Sequence, residues 1–520
     1  MRARLADGDG ALGVAAASYG EALAQDPASL EIARRAYFQA LESGDMALAL
    51  RSAVLLDARG LLPRDGTLLL LCDAIIRKDW STAHQWADRL TQEANFAFLV
   101  PIVRSWIAMG EGRTVPPVID AGERFAPLAR RYLDEHLVLQ MVGQGRVDEA
   151  DAHVGPALAV RTADISGIRL TFAAQLAARG ARDRALLLLP AGEANFAAAR
   201  ADIMRRRKIA SMLAAPIGPR QAYARLLSRL ATDVSSESNG LVLGLRLARI
   251  ATFADPDSAE GHIVAARLLT RAGHGAYART EAAKVPEKGW FGALGQAELV
   301  DAMAADGDLP AAIALARTLA QARDAEADRH IRLGRLLLQA GDYSDAAAAF
   351  SQARSRYPAD AVPWTLLLLE GSALEQGDLW AEARTVLERA ARQAPDEPVV
   401  LNYLGYAQIE RRQNVQAALA LLERASALSP QDPSITDSLG WAQFIAGNVD
   451  KAVPILERAA AGAPADVTIN EHLGDALWAA GRRYEARYAW HAASLFAEGE
   501  AADRIAAKTR EGMRPEYAAP

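Results

Sequence analysis

The sequence predicts an all-α fold: a right-handed superhelical solenoid built from repeated helix-turn-helix pairs. Leu-Gly pairs and helix-breaking prolines recur at a period of 34 or 35 residues in the last third of the chain. Hydrophobic residues make up 51% of the sequence but aromatic residues only 6%, and the excess is alanine and leucine, which favour helices. A chain of 520 residues rarely forms one compact core, whereas a repeat array buries each apolar face against its neighbours.

The clearest repeat spans residues 327–360. A small residue at Gly334 allows the two helices of the repeat to approach closely. Gly341 ends the first helix, because glycine adopts the left-handed conformation without strain, and Pro358 ends the second. The other positions that complete the pattern are Leu333, Asp342, Tyr343, Ala346, Phe350 and Ala353.

The same pattern recurs in both directions along the chain. Downstream, the prolines that follow the second helices are Pro395, Pro430 and Pro464, and the Leu-Gly pairs are Leu404-Gly405, Leu439-Gly440 and Leu473-Gly474. Upstream, an alanine follows five residues after each predicted turn glycine, at Gly44, Gly145, Gly180, Gly273 and Gly307. The phase is lost between Gly180 and Gly273, where we expect irregular helical repeats rather than a separate catalytic domain.

Repeat regularity divides the chain into five predicted segments. Residues 1–200 form degenerate repeats with a truncated first repeat, and residues 201–258 form irregular helical repeats. Residues 259–326 form further degenerate repeats, residues 327–500 form well-formed repeats, and residues 501–520 form a C-terminal helix and tail. Because part of the first helix of the opening repeat is absent, we expect that the natural chain begins upstream or that its start was trimmed.

The repeats resemble the tetratricopeptide repeat family, with His330 and Leu337 where that family usually has tryptophan and tyrosine. The C-terminal third is similar to a subgroup of tetratricopeptide proteins of the Gram-negative cell envelope. The residues that carry this likeness are 402–406, 437–441, 469–478, 481–487 and Trp490. Some members of the subgroup are outer-membrane lipoproteins, and at least one kind is an adaptor of a periplasmic carboxyl-terminal processing protease. The resemblance therefore implies a place at the periplasmic or outer-membrane periphery and an adaptor role.

Charge and composition argue against several classes of partner. The net charge is −6, from 58 basic and 64 acidic residues, and no basic stripe indicates nucleic acid. The one dense basic run, residues 205–208, falls in a stretch from 202 to 213 that is predicted to be helical. We interpret it as a solvated helix surface, with a phosphate or partner contact as the alternative. The most apolar window, residues 68–76, is too short to span a bilayer. No signal peptide or lipidation cysteine is recognisable, which indicates the cytoplasm by default and the envelope periphery if the chain begins upstream.

No motif for catalysis is present, so we predict that the protein is not an enzyme and needs no cofactor. The sequence lacks HExxH, a zinc-spaced Cys/His cluster, a GxSxG elbow and a phosphate-binding loop. His472, Asp475 and His491 could in principle approach one another, but so few ligands favour a structural role over a metal site. The only cysteine, Cys72, excludes an intramolecular disulfide and is predicted to be a core residue.

The tetratricopeptide resemblance also predicts where a partner binds. In that family, the residues three before, one after and four after the motif glycine tend to face the concave groove. In the last three repeats the predicted groove residues are Asn402, Tyr406, Asp437, Trp441, Phe444, Glu471, Asp475 and Trp478. Aromatic side chains often anchor partners, although Trp441 and Trp478 could instead pack between adjacent first helices. The acidic members favour an apolar or basic peptide.

These observations predict a non-enzymatic scaffold or adaptor that binds a protein or peptide in the groove of the C-terminal repeats. The resemblance extends this to cell-envelope protein quality control or assembly. One alternative is a subunit of an envelope enzyme that acts on cell-wall or surface polymer. The other is a repeat-containing regulator that acts on DNA, which would need a basic recognition helix that the sequence does not show.

Overall fold

The computed structural model describes residues 2–8, 10–119, 125–159, 165–322, 325–514 and 517. Helices joined by short turns account for nearly all of these residues, and none of them lies in a β-strand. The predicted all-α solenoid class is confirmed. The helices group into two compact units, Met1–Glu326 and Ala327–Pro520, here called unit 1 and unit 2. The finer division into five segments stays a prediction.

Unit 1 consists of helices that mostly pack against their neighbours along the chain. A short 3₁₀ helix, Ala97–Leu99, precedes α7. Its α-helices are α1 (Arg2–Gly8), α2 (Leu12–Gln25), α3 (Leu30–Ser43), α4 (Met46–Asp57), α5 (Gly66–Ile76), α6 (Trp80–Glu93), α7 (Val100–Gly110), α8 (Ala126–Gly143), α9 (Val147–Ala159), α10 (Ile165–Ala178), α11 (Arg182–Leu187), α12 (Ala194–Met204), α13 (Ser211–Ala214), α14 (Pro219–Val234), α15 (Leu241–Ala254), α16 (Ala259–Arg271), α17 (Gly275–Ala282), α18 (Gly292–Ala305) and α19 (Leu309–Ala320).

Unit 2 consists of consecutive helix pairs followed by a single C-terminal helix. The helices are α20 (Ala327–Ala340), α21 (Tyr343–Arg354), α22 (Trp364–Gln376), α23 (Trp380–Gln393), α24 (Pro398–Glu410), α25 (Val415–Leu428), α26 (Pro433–Ile445), α27 (Val449–Gly462), α28 (Val467–Ala479), α29 (Arg483–Ser494) and α30 (Gly499–Glu511). The even-numbered helices up to α28 are the first helices of the pairs, and α24, α26 and α28 pack side by side.

Helix ends lie where the glycine and proline pattern predicts them. Gly341, at the end of α20, has a φ of +80°, in the left-handed region that glycine adopts without strain. The other predicted turn glycines are also left-handed, with φ between 78° and 92°: Gly44, Gly145, Gly180, Gly273 and Gly307. Between α22 and α23, at Gly377-Asp378, the left-handed residue is instead Asp378, with φ +60°. The second helices α21, α23, α25 and α27 each end shortly before Pro358, Pro395, Pro430 or Pro464.

Close contact between the two helices of a pair depends on the motif glycine. A Cβ atom placed on Gly440 of α26 would lie 2.7 Å from Cγ of Leu456 on α27. A Cβ on Gly334 would lie 2.6 Å from Cε1 of Phe350 in the equivalent pair. Carbon atoms do not approach this closely. The pairs therefore need glycine at this position to keep their separation.

Helix α14 differs from most helices of unit 1 because it packs against helices that are distant along the chain. Residues 222–232 of this helix are buried on every side, and α14 packs against α5, α7 and α8 as well as α15. The Tyr223 hydroxyl donates a hydrogen bond of 2.9 Å to the Leu68 carbonyl oxygen on α5. Cys72, on the same helix α5, is buried as predicted, with Sγ 3.8 Å from the Ile250 carbonyl oxygen. The phase loss in the sequence thus corresponds to helices that fill the interior of unit 1.

A buried ionic cluster joins α14 to two other helices. Arg225 donates to Glu135 of α8 over 2.7 Å, and Arg229 donates to the same carboxylate over 3.1 Å. Both arginines also contact Glu260 of α16. Burial alone would raise the pKa of Glu135, but the two guanidinium groups outweigh it and lower that pKa to about 2. Glu135 is therefore ionised, and the four side chains pair with one another.

The sequence also predicts a helix at residues 202–213 and no segment long enough to span a bilayer. The helical stretch predicted for residues 202–213 is wrong: α12 ends at Met204 and residues 205–210 form a turn and a loop, because Arg206 is left-handed with φ +52°. Among the described residues, no helix combines the length and the apolarity needed to cross a bilayer.

Candidate partner-binding groove

The predicted groove residues lie on the first helices of unit 2, which contact one another through polar and aromatic side chains. Asp437 of α26 and His472 of α28 form the clearest link, with 2.9 Å between Oδ2 and Nδ1. Both side chains are buried, and neither the second Asp437 oxygen nor His472 Nε2 has a hydrogen-bond partner among the described residues. Asp437 is therefore directed mainly at the neighbouring helix.

Trp441 packs between these same helices. Its indole stacks on the His472 imidazole, with ring centroids 4.0 Å apart and planes 9° from parallel. On the same helix, Phe444 stacks on it at 5.0 Å. Only 3% of Trp441 is exposed. Trp441 therefore has little exposed surface for direct contact with a partner, whereas Phe444 is partly exposed.

The acidic residues of the last first helix contact the C-terminal helix of the chain itself. Glu471 accepts two hydrogen bonds of 2.8 Å from Arg504 and one of 2.6 Å from Lys508. Asp475 accepts from Lys508 over 2.7 Å and from the Trp490 indole over 2.9 Å. Helix α30 thus lies on the predicted groove face of α28 and covers both carboxylates.

The two carboxylates respond differently to this environment. Burial by itself would raise the pKa of Glu471, but the hydrogen bonds from Arg504 and Lys508 outweigh it and lower that pKa. Burial dominates at Asp475 and raises its pKa in spite of Lys508. Sequence reasoning missed the role of α30. The sequence signal for this contact is the pair Arg504 and Lys508, which are four residues apart and therefore lie on one helix face. Glu471 and Asp475 have the same spacing.

Trp478 lies at the edge of this covered region. Arg483 and Arg487 of α29 each place a guanidinium carbon 5.2 Å from its ring centroid. Its ring also lies 5.5 Å from that of Trp490, and Gly512 lies directly against it. Trp478 is partly exposed, and cations of the same chain hold its position.

The surface that remains open lies on α22 and α24. Tyr403 donates to Ser372 over 3.0 Å and to Glu375 over 3.2 Å. Burial, followed by the Glu410 carboxylate, raises the pKa of the partly exposed Tyr406. We call this region the open groove surface; with Phe444 of α26 it comprises Glu375, Tyr403, Tyr406 and Glu410. Asn402, the remaining predicted residue, is partly exposed but keeps its amide oxygen buried without a partner in the described structure.

Arg411 neutralises one of the two carboxylates of the open groove surface. Arg411 lies 2.5 Å from Glu375 and stacks 4.6 Å above the Trp380 ring. Trp380 in turn donates to Gln413 over 2.7 Å. Glu375 is therefore already paired, whereas Glu410 is exposed and forms no ion pair with the described residues.

The candidate metal ligands on the same helices contact other side chains of the chain. His472 is directed at Asp437, and Asp475 at Lys508 and Trp490. Across the residues that the structure describes, no group of three or more His, Cys, Asp or Glu side chains is arranged to hold a metal ion.

The repeat pattern of α20 and α21 agrees with a known family. Residues 331–360 match the tetratricopeptide repeat model. This match supports the tetratricopeptide interpretation of the repeats. A comparison with curated protein sequences gave no match.

Solved structures are similar to about a third of the chain or to nearly all of it. A MamA structure from MSR-1 is 23% identical, covering 33% of this chain and 95% of its own, with a TM-score of 0.28. MamA from Desulfovibrio magneticus RS-1 is 18% identical, covering 33% and 94%, with a TM-score of 0.29. The APC/C hetero-tetramer Cut9–Hcn1 is 13% identical, covering 98% and 95%, with a TM-score of 0.40.

Proposed function

We propose that this protein is a non-enzymatic scaffold or adaptor that binds a basic or apolar segment of a partner protein on the first helices of unit 2. The observation that carries the proposal is the contact between Lys508 and the Glu471–Asp475 pair. In this contact the acidic residues of a first helix bind two cationic side chains of α30, Arg504 and Lys508. The chain itself thus provides an example of the ligand chemistry that this face accepts.

The same chemistry continues on the open groove surface. Glu410 supplies an exposed carboxylate at the hydroxyl group of Tyr406, and Phe444 supplies apolar area. Aromatic side chains contribute a large contact area at low entropic cost, and a neighbouring carboxylate selects cations. A partner segment with a lysine or arginine next to an apolar residue would satisfy both groups. Four other predicted residues would then position the helices that form this surface and not contact the partner; they are Asp437, Trp441, Glu471 and Asp475.

The test compares partner capture by the intact chain and by two variants. Pull-down followed by mass spectrometry identifies partners, and binding is then measured with each purified partner. Replacing Tyr406→Ala together with Glu410→Arg should weaken binding at least about tenfold, because loss of a central anchor typically costs about 2 kcal/mol or more. The control is Tyr488→Ala on α29, a tyrosine that is 60% exposed and lies outside the open groove surface.

Each outcome of this comparison is informative once circular dichroism shows that both variants are folded. Loss of binding in the groove variant with full binding in the control supports the proposal. Equal binding by the groove variant and the unmodified chain would contradict it and direct attention to other faces. A partner segment that is acidic rather than basic would also contradict it.

We further propose, from the resemblance of residues 402–490 alone, that the partners belong to cell-envelope protein quality control or assembly. Fractionation of cells that produce the natural full-length protein tests this location. Recovery with the periplasm or the outer membrane would agree with it, whereas recovery only with the cytosol would exclude it. A processing protease among the captured partners would specify the adaptor role.

A further inference from the structure

Unit 1 contains a cavity of about 310 Å³ at the place where the repeat phase is lost. Its walls come from three separate segments, residues 210–217, 255–262 and 284–291, and from α10 and α14. Cavities of this size with mostly apolar walls are typical of sites for small molecules. This cavity lies outside the open groove surface and has no part in the proposed function.

Apolar side chains form much of the wall. Trp290 and Phe291 are almost fully buried, and Leu213 and Ile217 are partly exposed toward the cavity side of unit 1. The Trp290 indole donates to Asp202 over 3.0 Å, so its ring is held in one orientation. The cavity therefore presents a preformed apolar surface.

Most of the polar groups in the wall already have partners within the chain. Gln175 donates to the carbonyl oxygens of Leu213 and Ala215, over 2.7 and 2.8 Å. Arg225 is engaged by the buried carboxylates, including Glu260. A polar group inserted here would find few free partners and would lose its hydration. The part of a ligand that enters the cavity should accordingly be apolar.

Among the described residues the wall nevertheless carries one cation that forms no ion pair, alongside the exposed carboxylate of Asp257. Lys288 is exposed and forms no ion pair among the described residues, whereas Lys284, which also lines the cavity, lies 3.0 Å from Glu281. Asp255 is engaged by Arg220 at 3.5 Å. An anionic group beside the wall can therefore approach Lys288 without displacing an existing ion pair.

The loop that carries the basic run, residues 205–208, leads into the cavity wall. It connects Asp202, which accepts the Trp290 hydrogen bond, to Ala210 in the cavity wall. Arg207 pairs with Asp202, while the exposed Arg205, Arg206 and Lys208 form no ion pair with any described residue. These three cations and Lys288 outnumber the exposed acids of the same segments, which are Asp257 and Glu287.

We propose that the cavity binds a small amphipathic anion, with an apolar body against Trp290 and Phe291 and a carboxylate, sulfonate or phosphate group near Lys288. The apolar wall supplies affinity by excluding water from the ligand body. The free ammonium supplies selectivity for the charged end. The chemistry of such a ligand is that of an aromatic or aliphatic acid.

The probe for the test is anilinonaphthalene sulfonate, an aromatic anion whose fluorescence rises in apolar surroundings, added to the intact folded chain. Lys288→Glu should weaken its binding by about fivefold, as expected for reversal of an exposed charge contact. Ala210→Trp, which fills the cavity from its wall, should weaken binding by about tenfold or more. The matched controls are Lys451→Glu and Ala420→Trp, at exposed positions of α27 and α25, which should bind like the unmodified chain.

A neutral relative of the probe, phenylnaphthylamine, separates the two parts of the proposal. To the unmodified chain it should bind more weakly than the sulfonate does. Its own affinity should be the same for the Lys288→Glu variant as for the unmodified chain. Equal affinities for the neutral and anionic probes would overturn the anion assignment. Unchanged sulfonate binding in Ala210→Trp would overturn the cavity assignment. If that variant fails to fold by circular dichroism, Ile217→Asp provides the second measurement, because a carboxylate in the wall should repel the sulfonate.

Discussion

The ammonium group of Lys508 lies 2.6 Å from a carboxylate oxygen of Glu471, and no part of the Lys508 side chain is exposed to solvent. A lysine is seldom buried so completely unless its charge is compensated. Here Asp475 supplies a second carboxylate at 2.7 Å. This contact attaches helix α30 to the last helix pair and covers part of the face that the repeat pattern assigns to a partner.

Removing this cation should release α30. In Lys508→Met the carboxylate of Asp475 loses its cation, and breaking a buried ion pair typically costs about 3–5 kcal/mol. We expect hydrogen exchange to accelerate throughout α30 while α20 and α21 keep their protection, because coupling in a repeat array is mainly between neighbours. Lys451→Met, at an exposed position of α27, is the control. Full protection of α30 in the Lys508 variant would refute this account of its attachment.

Trp441 should matter for stability whether or not it touches a partner. Its indole is 3% exposed and stacks between Phe444 and His472. Trp441→Ala should therefore lower the free energy of unfolding by about 3–5 kcal/mol, measured by urea denaturation. Tyr488→Ala, on an exposed face, should change it little. A small loss in both variants would mean that Trp441 is not a core residue, and its groove role would gain support.

Gly440→Leu should separate α26 from α27. A side chain at Gly440 would overlap Leu456, so we expect an overpacking cost of about 1–3 kcal/mol. Hydrogen exchange should accelerate first in residues 434–460, because the strain falls on one helix pair and its neighbours. Ala420→Leu, at an exposed site of α25, controls for the added leucine. Undiminished protection of residues 434–460 would show that the contact can adjust without cost.

Acid should destabilise unit 1 through His136. Burial lowers the pKa of this imidazole from 6.5 to about 4, and its Nδ1 accepts a hydrogen bond of 2.9 Å from the Trp106 indole. The unfolded chain therefore binds the proton more readily than the folded chain. The stability that depends on neutral His136 is complete above pH 6.5 and is lost as the pH falls from 6.5 toward about 4.

The corresponding variant is His136→Gln, whose side-chain oxygen can still accept the Trp106 hydrogen bond. The urea midpoint of unit 1 should then vary less between pH 7 and pH 5 than in the unmodified chain, because a contribution of up to about 1.4 kcal/mol per pH unit from this one proton is removed. His84→Gln, a partly exposed histidine of α6, is the control. An identical pH dependence in all three proteins would exclude His136 as the titrating group.

Much of the fold could be predicted because repeat signals are local. Gly341 is left-handed and Gly440 lies against Leu456, as the 34-residue pattern indicates, since each of these roles depends only on one turn or one helix pair. The groove assignment was only partly accessible in this way. Position in the repeat locates Tyr406 and Phe444 on the first helices, but it cannot say which positions another segment covers. The binding role of these residues stays a prediction.

By itself, the sequence determined the helical class, the period and the positions of the turns, because alanine, leucine, glycine and proline act on the backbone within a few residues. Only the tertiary structure decided that α14 fills the interior of unit 1 and that α30 covers α28. Those arrangements depend on charges that meet across long separations, 90 residues for Arg225 and Glu135 and 37 for Lys508 and Glu471. Local spacing shows that Arg504 and Lys508 match Glu471 and Asp475, but it does not show that they meet, since the favourable energy arises only when folding brings the buried charges together.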